Sequence, residues 1–275
     1  MSELPLIPLA ESADRTPENL PGWLHWLDSC PSTNTWAIAH ATQLQHGDVV
    51  FTRLQTAGRG QQGRTWYAPL GVLTASFVCD RLPVAQLPNL SLAAGLAVIY
   101  AVEDLLPECQ DLLRLKWPND VLINERKLAG ILCEATSGNA TGNSRAIVGI
   151  GLNRCVDFAE AGLDVNAVSL HEISSIVPDE FSLLERLRHY LLEASGILAM
   201  SDISAENSGL AKLLPELRRR DMLRDRTITL ELPDTTISGQ AVGIDGYGRL
   251  LIRLSGDRLQ AFNSGRVRWD KSYYL

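Results

Sequence analysis

The chain is short of basic residues. Its 275 residues carry 25 Lys and Arg against 32 Asp and Glu, a formal net charge of −7. An acidic chain is a poor general binder of polyanions, and nucleic acid would need a local basic patch. The longest basic run, Arg218-Arg219-Arg220, reads as the solvated end of a helix. Cysteine is sparse and scattered, at Cys30, Cys79, Cys109, Cys133 and Cys155. No pair has the CxxC spacing of a zinc site or a redox motif, and an odd, dispersed set fits a reducing cytoplasm. The histidines show no HExxH or other ligand spacing, so no metal is assigned to protein side chains. Neither a G-x-S-x-G elbow nor a Walker A loop occurs. The N-terminal MSELPLIPLAES lacks a basic region and contains Pro5 and Pro8, which argues against a signal peptide. The longest apolar run, Leu92 to Val102, is too short to cross a bilayer.

What is present is ordinary globular material, 45% hydrophobic and 21% charged. It suffices for one large domain, or one large and one small. Residues 1–22 hold four prolines and read as an irregular lead-in, with Trp23 and Trp26 packing onto the large domain. A helix is expected to start at Ser32-Thr33-Asn34. Strands are expected over 48–54, 72–79, 113–117, 121–124, 127–135 and 146–152, with a tight turn at Asn124-Glu125-Arg126. Leu90, Ala94, Ala97, Ala101 and Leu105 mark a helix over 87–106, and Leu184, Leu187, Leu191 and Ala194 another over 181–199. A helical stretch over 205–221 contains Pro215, expected to kink or divide it. Residues 226–269 hold only short alternating segments, with a hairpin turn at Gly246-Tyr247-Gly248. They read as a small all-β unit of about 50 residues, SH3-like in size.

Three segments carry candidate chemistry. The first, Gln55 to Arg64, has Gly58, Gly60 and Gly63 in a G-x-G-x-x-G spacing. A dinucleotide-binding fold would need a helix directly after it. Thr65 to Gly71 instead contains Pro69 and leads into a strand. A phosphate cradle flanked by Arg59 and Arg64 survives, as does a solvated surface loop. The second, Lys116-Trp117-Pro118-Asn119-Asp120 followed by Lys127-Leu128-Ala129-Gly130, could bring two lysines to one anion. Alone, it also reads as a turn between strands. The third, Gly149-Ile150-Gly151-Leu152-Asn153, permits close approach by a ligand or by backbone, or forms a bulge.

In this order, with Ser32-Thr33-Asn34 in front, these segments resemble the catalytic domain of biotin protein ligases. The small β unit extends the likeness. The resemblance implies an α+β fold of the class II synthetase-like (biotin/lipoate ligase) type, with a mixed sheet, flanking helices and a C-terminal SH3-like β-barrel. It divides the chain into 1–22, a catalytic domain 23–225 and a C-terminal domain 226–275. It implies a two-step ligase: biotin and MgATP give biotinyl-5′-AMP, and a lysine of a biotin carboxyl carrier protein, as in acetyl-CoA carboxylase, takes the biotinyl group. By motif, Ser32, Thr33, Asn34, Gln55, Gly58, Arg59, Gly60, Gln61, Lys127 and Gly130 would form the biotin site. Arg59, Arg64, Trp66, Lys116, Asn119, Lys127 and Asn153 would form the adenylate site. Lys127, Arg59, Asp120 and Lys116 would carry catalysis, with Arg59 holding carboxylate and phosphate and Asp120 facing the acceptor lysine. Gln61 departs from the arginine that many relatives have there. The expected protein is cytoplasmic and monofunctional, without specific DNA or membrane partners; a homodimer is compatible. A lipoate or octanoyl ligase is disfavoured by the KWPND and GRGQQG matches. A non-enzymatic biotin sensor is disfavoured by the absent helix-turn-helix and the acidic charge.

Overall fold

A computed structural model describes residues 19–136, 143–160, 166–200 and 209–269. Most of the proposed lead-in, and residues 205–208 of the expected helical stretch, lie outside these. A seven-stranded mixed sheet has the order β1 (Leu24–Leu27), β2 (Val49–Thr52), β3 (Val72–Pro83), β7 (Asn143–Asn153), β6 (Arg126–Ala135), β5 (Asp120–Ile123), β4 (Leu113–Lys116). Only β1 and β2 run parallel; the other pairs are antiparallel. Asn124 and Glu125 both adopt positive φ, at 48° and 60°, and form the two-residue turn between β5 and β6.

Strand alternation separates the two faces. Leu73, Ala75, Phe77 and Cys79 of β3 enter the main core with Val148, Ile150 and Leu152 of β7. There they meet α2 (Leu87–Leu105) and α3 (Glu180–Ala199). Phe51 and Phe77 are 0% and 1% exposed; burying each contributes about 1.5–3 kcal/mol. The opposite face carries α1 (Thr33–Ala39) over a small cluster of Ala37, Val50, Val78 and Ile147. Asp179 caps α3 by accepting from Ser182 N. With its lead-in turn, the α2 segment Val84–Leu105 is long and apolar enough to span a membrane, unlike the shorter run singled out by sequence. Yet most of that stretch is buried inside the protein, which makes it a core helix.

The structure corrects two expectations. Pro215 does not divide α4, which runs unbroken over Gly209–Arg220. One missing N–H weighs less than the buried stripe of Leu210, Leu213, Leu214 and Leu217. Nor does the basic run end a solvated helix. Arg220 is 0% exposed and pairs with Glu103 and Glu216, while Arg219 pairs with Glu216 and Asp111. These pairs tie α4 to α2 and to the start of β4.

The C-terminal sheet is antiparallel, in the order β11 (Leu259–Phe262), β10 (Leu250–Arg253), β9 (Thr236–Ile244), β8 (Thr227–Glu231), β12 (Arg266–Trp269). Its interior side chains, including Ile228, Leu230, Ile244 and Ile252, continue the main core without a break. Trp117 Nε1 donates to the carbonyl of Gly248 at 3.0 Å across the junction.

Candidate active site

The strand registers place Thr52, Thr74, Gly151, Gly130, Asp120 and Lys116 in one row across β2, β3, β7, β6, β5 and β4. Ser76, Gly149 and Leu132 form the next row on the same face. The glycines in these rows make room above the sheet. A Cβ at Gly149 would meet the Asn34 carboxamide, and one at Gly151 the Trp66 indole. A Cβ at Gly130 would come within 3.0 Å of both Lys127 Nζ and Trp66 Cζ3. Both glycine-bearing strand motifs therefore serve to seat side chains against bare backbone.

Over this face lies a cleft of about 680 Å³, counting its open mouth. The start of α1 contributes Ser32, Thr33 and Asn34, all 3% exposed, and the segment after β2 contributes Gln55. Ser32 caps α1, its side chain accepting from Thr35 N, which turns the next two side chains inward. The glycine loop supplies Arg59, Gly60, Gln61, Arg64 and Trp66, and the sheet supplies Asn119, Asp120, Lys127 and Gly130.

Three predicted site residues lie outside this lining. Gly58 is buried beneath the loop, where Trp66 N donates to its carbonyl at 2.9 Å. Lys116 lines a neighbouring cleft with Arg266, Arg268 and Trp269; the two clefts share Asp120 and Lys127. Asn153 is 3% exposed and donates its amide to the carbonyls of Lys127 and Val168, at 3.0 and 3.1 Å. It braces the strand that carries Lys127.

The loop closes on itself as a tight hairpin. Gly60 N donates to Arg64 O at 2.7 Å, and Arg64 Nε donates to Gln61 O at 3.1 Å. Gln62 and Gly63, at φ 55° and 73°, make the turn. Only glycine adopts such a conformation freely, which accounts for Gly63.

The cations divide into two groups. Lys127 Nζ lies 2.5 Å from Asp120 Oδ1 and 5.2 Å from the Trp66 ring centre. Lys116 Nζ lies 3.8 Å from the other Asp120 oxygen and 4.8 Å from the Trp269 ring. Burial holds the Lys116 ammonium below its usual pKa; Asp120 opposes this, and nearby Lys127 and Arg64 add to it. Two lysines around one carboxylate leave a net positive end suited to an anion. Arg59 lies elsewhere. Its guanidinium bonds Glu134 at 2.7 and 3.2 Å and Thr35 Oγ1 at 3.2 Å, at the α1 end. Sequence reasoning missed Glu134 and Ser76. Period-two counting from Gly130 through Leu132, and from Thr74, leads to each of them.

Similarity to known proteins agrees with this geometry. The model of the biotin/lipoate A/B protein ligase family matches residues 26–153, and that of the biotin protein ligase C terminal domain matches 225–268. The biotin–[acetyl-CoA-carboxylase] ligase of Mycobacterium tuberculosis is 34% identical over 231 residues, covering 82% of this chain and 81% of that protein. The bifunctional ligase/repressor BirA of Escherichia coli is 32% identical over 230 residues, covering 82% of this chain and 67% of that one. The solved biotin protein ligase of Aquifex aeolicus in complex with biotin and ATP is 26% identical, with a TM-score of 0.71 over 90% of this chain and 99% of that chain. By motif, fold and sequence identity, the chain belongs to the biotin protein ligase family.

Proposed function

We propose that the cleft activates biotin as biotinyl-5′-AMP and then transfers the biotinyl group to a lysine of a biotin carboxyl carrier protein, such as that of acetyl-CoA carboxylase. In the first step a biotin carboxylate oxygen bonds to the α-phosphorus of ATP and pyrophosphate leaves. In the second, the acceptor amine bonds to the acyl carbon, loses a proton and releases AMP. Neither step needs a covalent enzyme intermediate, so positioning and cations carry the chemistry.

The observation that most supports this reading is the placement of Lys127. It sits beside Asp120 and Trp66, in a cleft whose other end gathers the neutral hydrogen-bonding groups of Ser32, Thr33, Asn34 and Gln55, with Arg59 there already paired to Glu134. A substrate with an uncharged polar ring and a carboxylate tail fits that asymmetry. The ring edge takes Ser32, Thr33 and Gln55, and the tail reaches Lys127. Trp66, Asn119 and Arg64 take the adenylate, and Mg2+ enters with ATP as substrate. Asp120, held between two lysines, faces the acceptor amine. Arg59, bonded to Glu134, serves the ring end of the cleft; the carboxylate end falls to Lys127.

Residues 23–225 act as the catalytic unit and 226–275 as a second unit that assists ATP handling or carrier docking. The protein works in the cytoplasm and binds no specific DNA. Mass spectrometry of purified protein with MgATP and biotin, lipoate or octanoate tests the reading. Adenylate is expected with biotin alone, followed by biotinylation of an added apo carrier domain. Preference for lipoate or octanoate, or no adenylate with any of the three, would refute it.

A further inference from the structure

The polar groups at the α1 end of the cleft form an unbroken chain. Glu134 accepts from Arg59 through both oxygens and from Asn34 Nδ2 at 2.9 Å. Asn34 Nδ2 also donates to the carbonyl of Leu132 at 3.1 Å. Asn34 Oδ1 lies 2.5 Å from Ser76 Oγ, which lies 2.7 Å from Thr33 Oγ1. Thr33 N donates to Gln55 Oε1 at 3.0 Å.

The direction of this chain follows from proton counting. An ionised carboxylate and a peptide carbonyl only accept, so both Asn34 amide hydrogens are committed to Glu134 and Leu132. Asn34 Oδ1 can then only accept, which commits the one Ser76 hydrogen to it. The Thr33 hydroxyl hydrogen has two acceptors in reach, Ser76 Oγ at 2.7 Å and Gln55 Oε1 at 3.4 Å, and either one uses it. Thr33 Oγ1 is thereby left with lone pairs and no hydrogen, at a position lining the cleft. At the same end Arg59, fixed by its two bonds to Glu134, remains a donor only. One carboxylate thus commits Thr33 as an acceptor and holds Arg59 as a donor, both on the lining of the cleft.

We propose that Glu134 is a positioning residue that orients Thr33 as an acceptor and Arg59 as a donor toward a cyclic urea. This rests on the reading of the cleft as a biotin site. The biotin ring presents N–H donors flanking a carbonyl acceptor, the complement of that pair. Neither Glu134 nor Ser76 touches the ring in this scheme; each acts through a neighbour. Glu134→Gln keeps the shape but introduces a donor. Its amide nitrogen would face either Arg59 or Asn34, and both are donors.

The test is steady-state adenylation with Glu134→Gln, Glu134→Asp, Ser76→Ala and the Glu134→Gln/Ser76→Ala double variant, each first checked for an unchanged melting transition. Glu134→Gln should raise the KM for biotin at least about tenfold, with the KM for ATP within about threefold of wild type. Glu134→Asp, an acceptor still, should lie between the two. Ser76→Ala should raise the biotin KM as well, and the double variant should fall clearly short of the product of the single effects, because one relay is broken twice. Equal shifts in biotin and ATP KM, or a biotin KM within about threefold of wild type in both single variants, would overturn the assignment. Biotin binding by wild type, measured by calorimetry, separates this failure from failure of the biotin reading itself. If Glu134→Gln does not fold, Ser76→Ala alone decides.

Discussion

The indole of Trp66 occupies the space that a side chain at position 151 would fill. Gly151→Ala must therefore push Trp66 off the sheet or strain β7, at a cost of about 1–3 kcal/mol. We expect a lowered melting temperature and an ATP KM raised more than the biotin KM. Thermal unfolding and adenylation kinetics check both; a silent substitution would mean that Trp66 moves freely.

Lys127→Ala removes the cation nearest Trp66 and leaves Asp120 with Lys116 as its remaining partner. Deleting a charge-assisted hydrogen bond from a partly closed site should raise the adenylation barrier by about 2–4 kcal/mol. The fold should survive, because the Lys127 side chain is 32% exposed. Biotinyl-AMP formation within about threefold of wild type would exclude the assigned role.

Asp221 predicts a pH dependence. One of its oxygens is buried without a partner, and burial pushes the carboxyl from 3.8 up to about 6. The folded state therefore holds this proton more tightly than the unfolded state between about pH 4 and 6. Stability from this group is full below about pH 4, falls as pH rises to about 6, and is level above that. Asp221→Asn should remove this dependence and raise stability near pH 7 by about 1–2 kcal/mol. The difference in melting temperature between wild type and variant should accordingly grow from about pH 4 to 6 and stay level above that; a constant difference would refute the assignment.

Arg220→Met leaves Glu103 buried without its bidentate partner. Breaking a buried pair from one side costs about 3–5 kcal/mol. Adding Glu103→Gln should recover part of the loss. Urea unfolding of the two variants measures it, and equal stabilities would show that the pair is not coupled.

Gln61 lines the cleft at the loop tip. Arginine there adds a fixed charge and up to five donors, against one amide. Gln61→Arg should slow release of biotinyl-AMP, and Gln61→Gly should speed it and label bystander lysines. Stopped-flow dissociation, together with biotinylation of an inert protein, reads both.

Much of the fold is legible because local signals and tertiary packing agree. The Ser32 cap, the α2 stripe and the Asn124 turn each state their structure within a few residues. The cleft is legible only in part. Motifs supply Ser32, Gln55 and Lys127, but Glu134 and Ser76 enter through strand register, which no short window reveals. Arg220 misleads for a related reason. Three consecutive arginines look solvated until Glu103, far away in sequence, supplies a buried counter-charge. Asn153 ends a strand as expected, yet it spends its amide on backbone.

The Trp117–Gly248 hydrogen bond makes the junction between the sheets a matter of manufacture as well as chemistry. Gly248 has φ 79°, and a Cβ there would collide with Asn89 at the start of α2. The donor indole lies inside the Lys116-to-Asp120 segment, and Trp269 of the last strand underlies Lys116. A C-terminal unit grafted from a relative would have to bring its own tight glycine turn and a matching aromatic. The two sheets are thus parts cut to one seam, and exchange between enzymes is constrained to turns that can meet that indole.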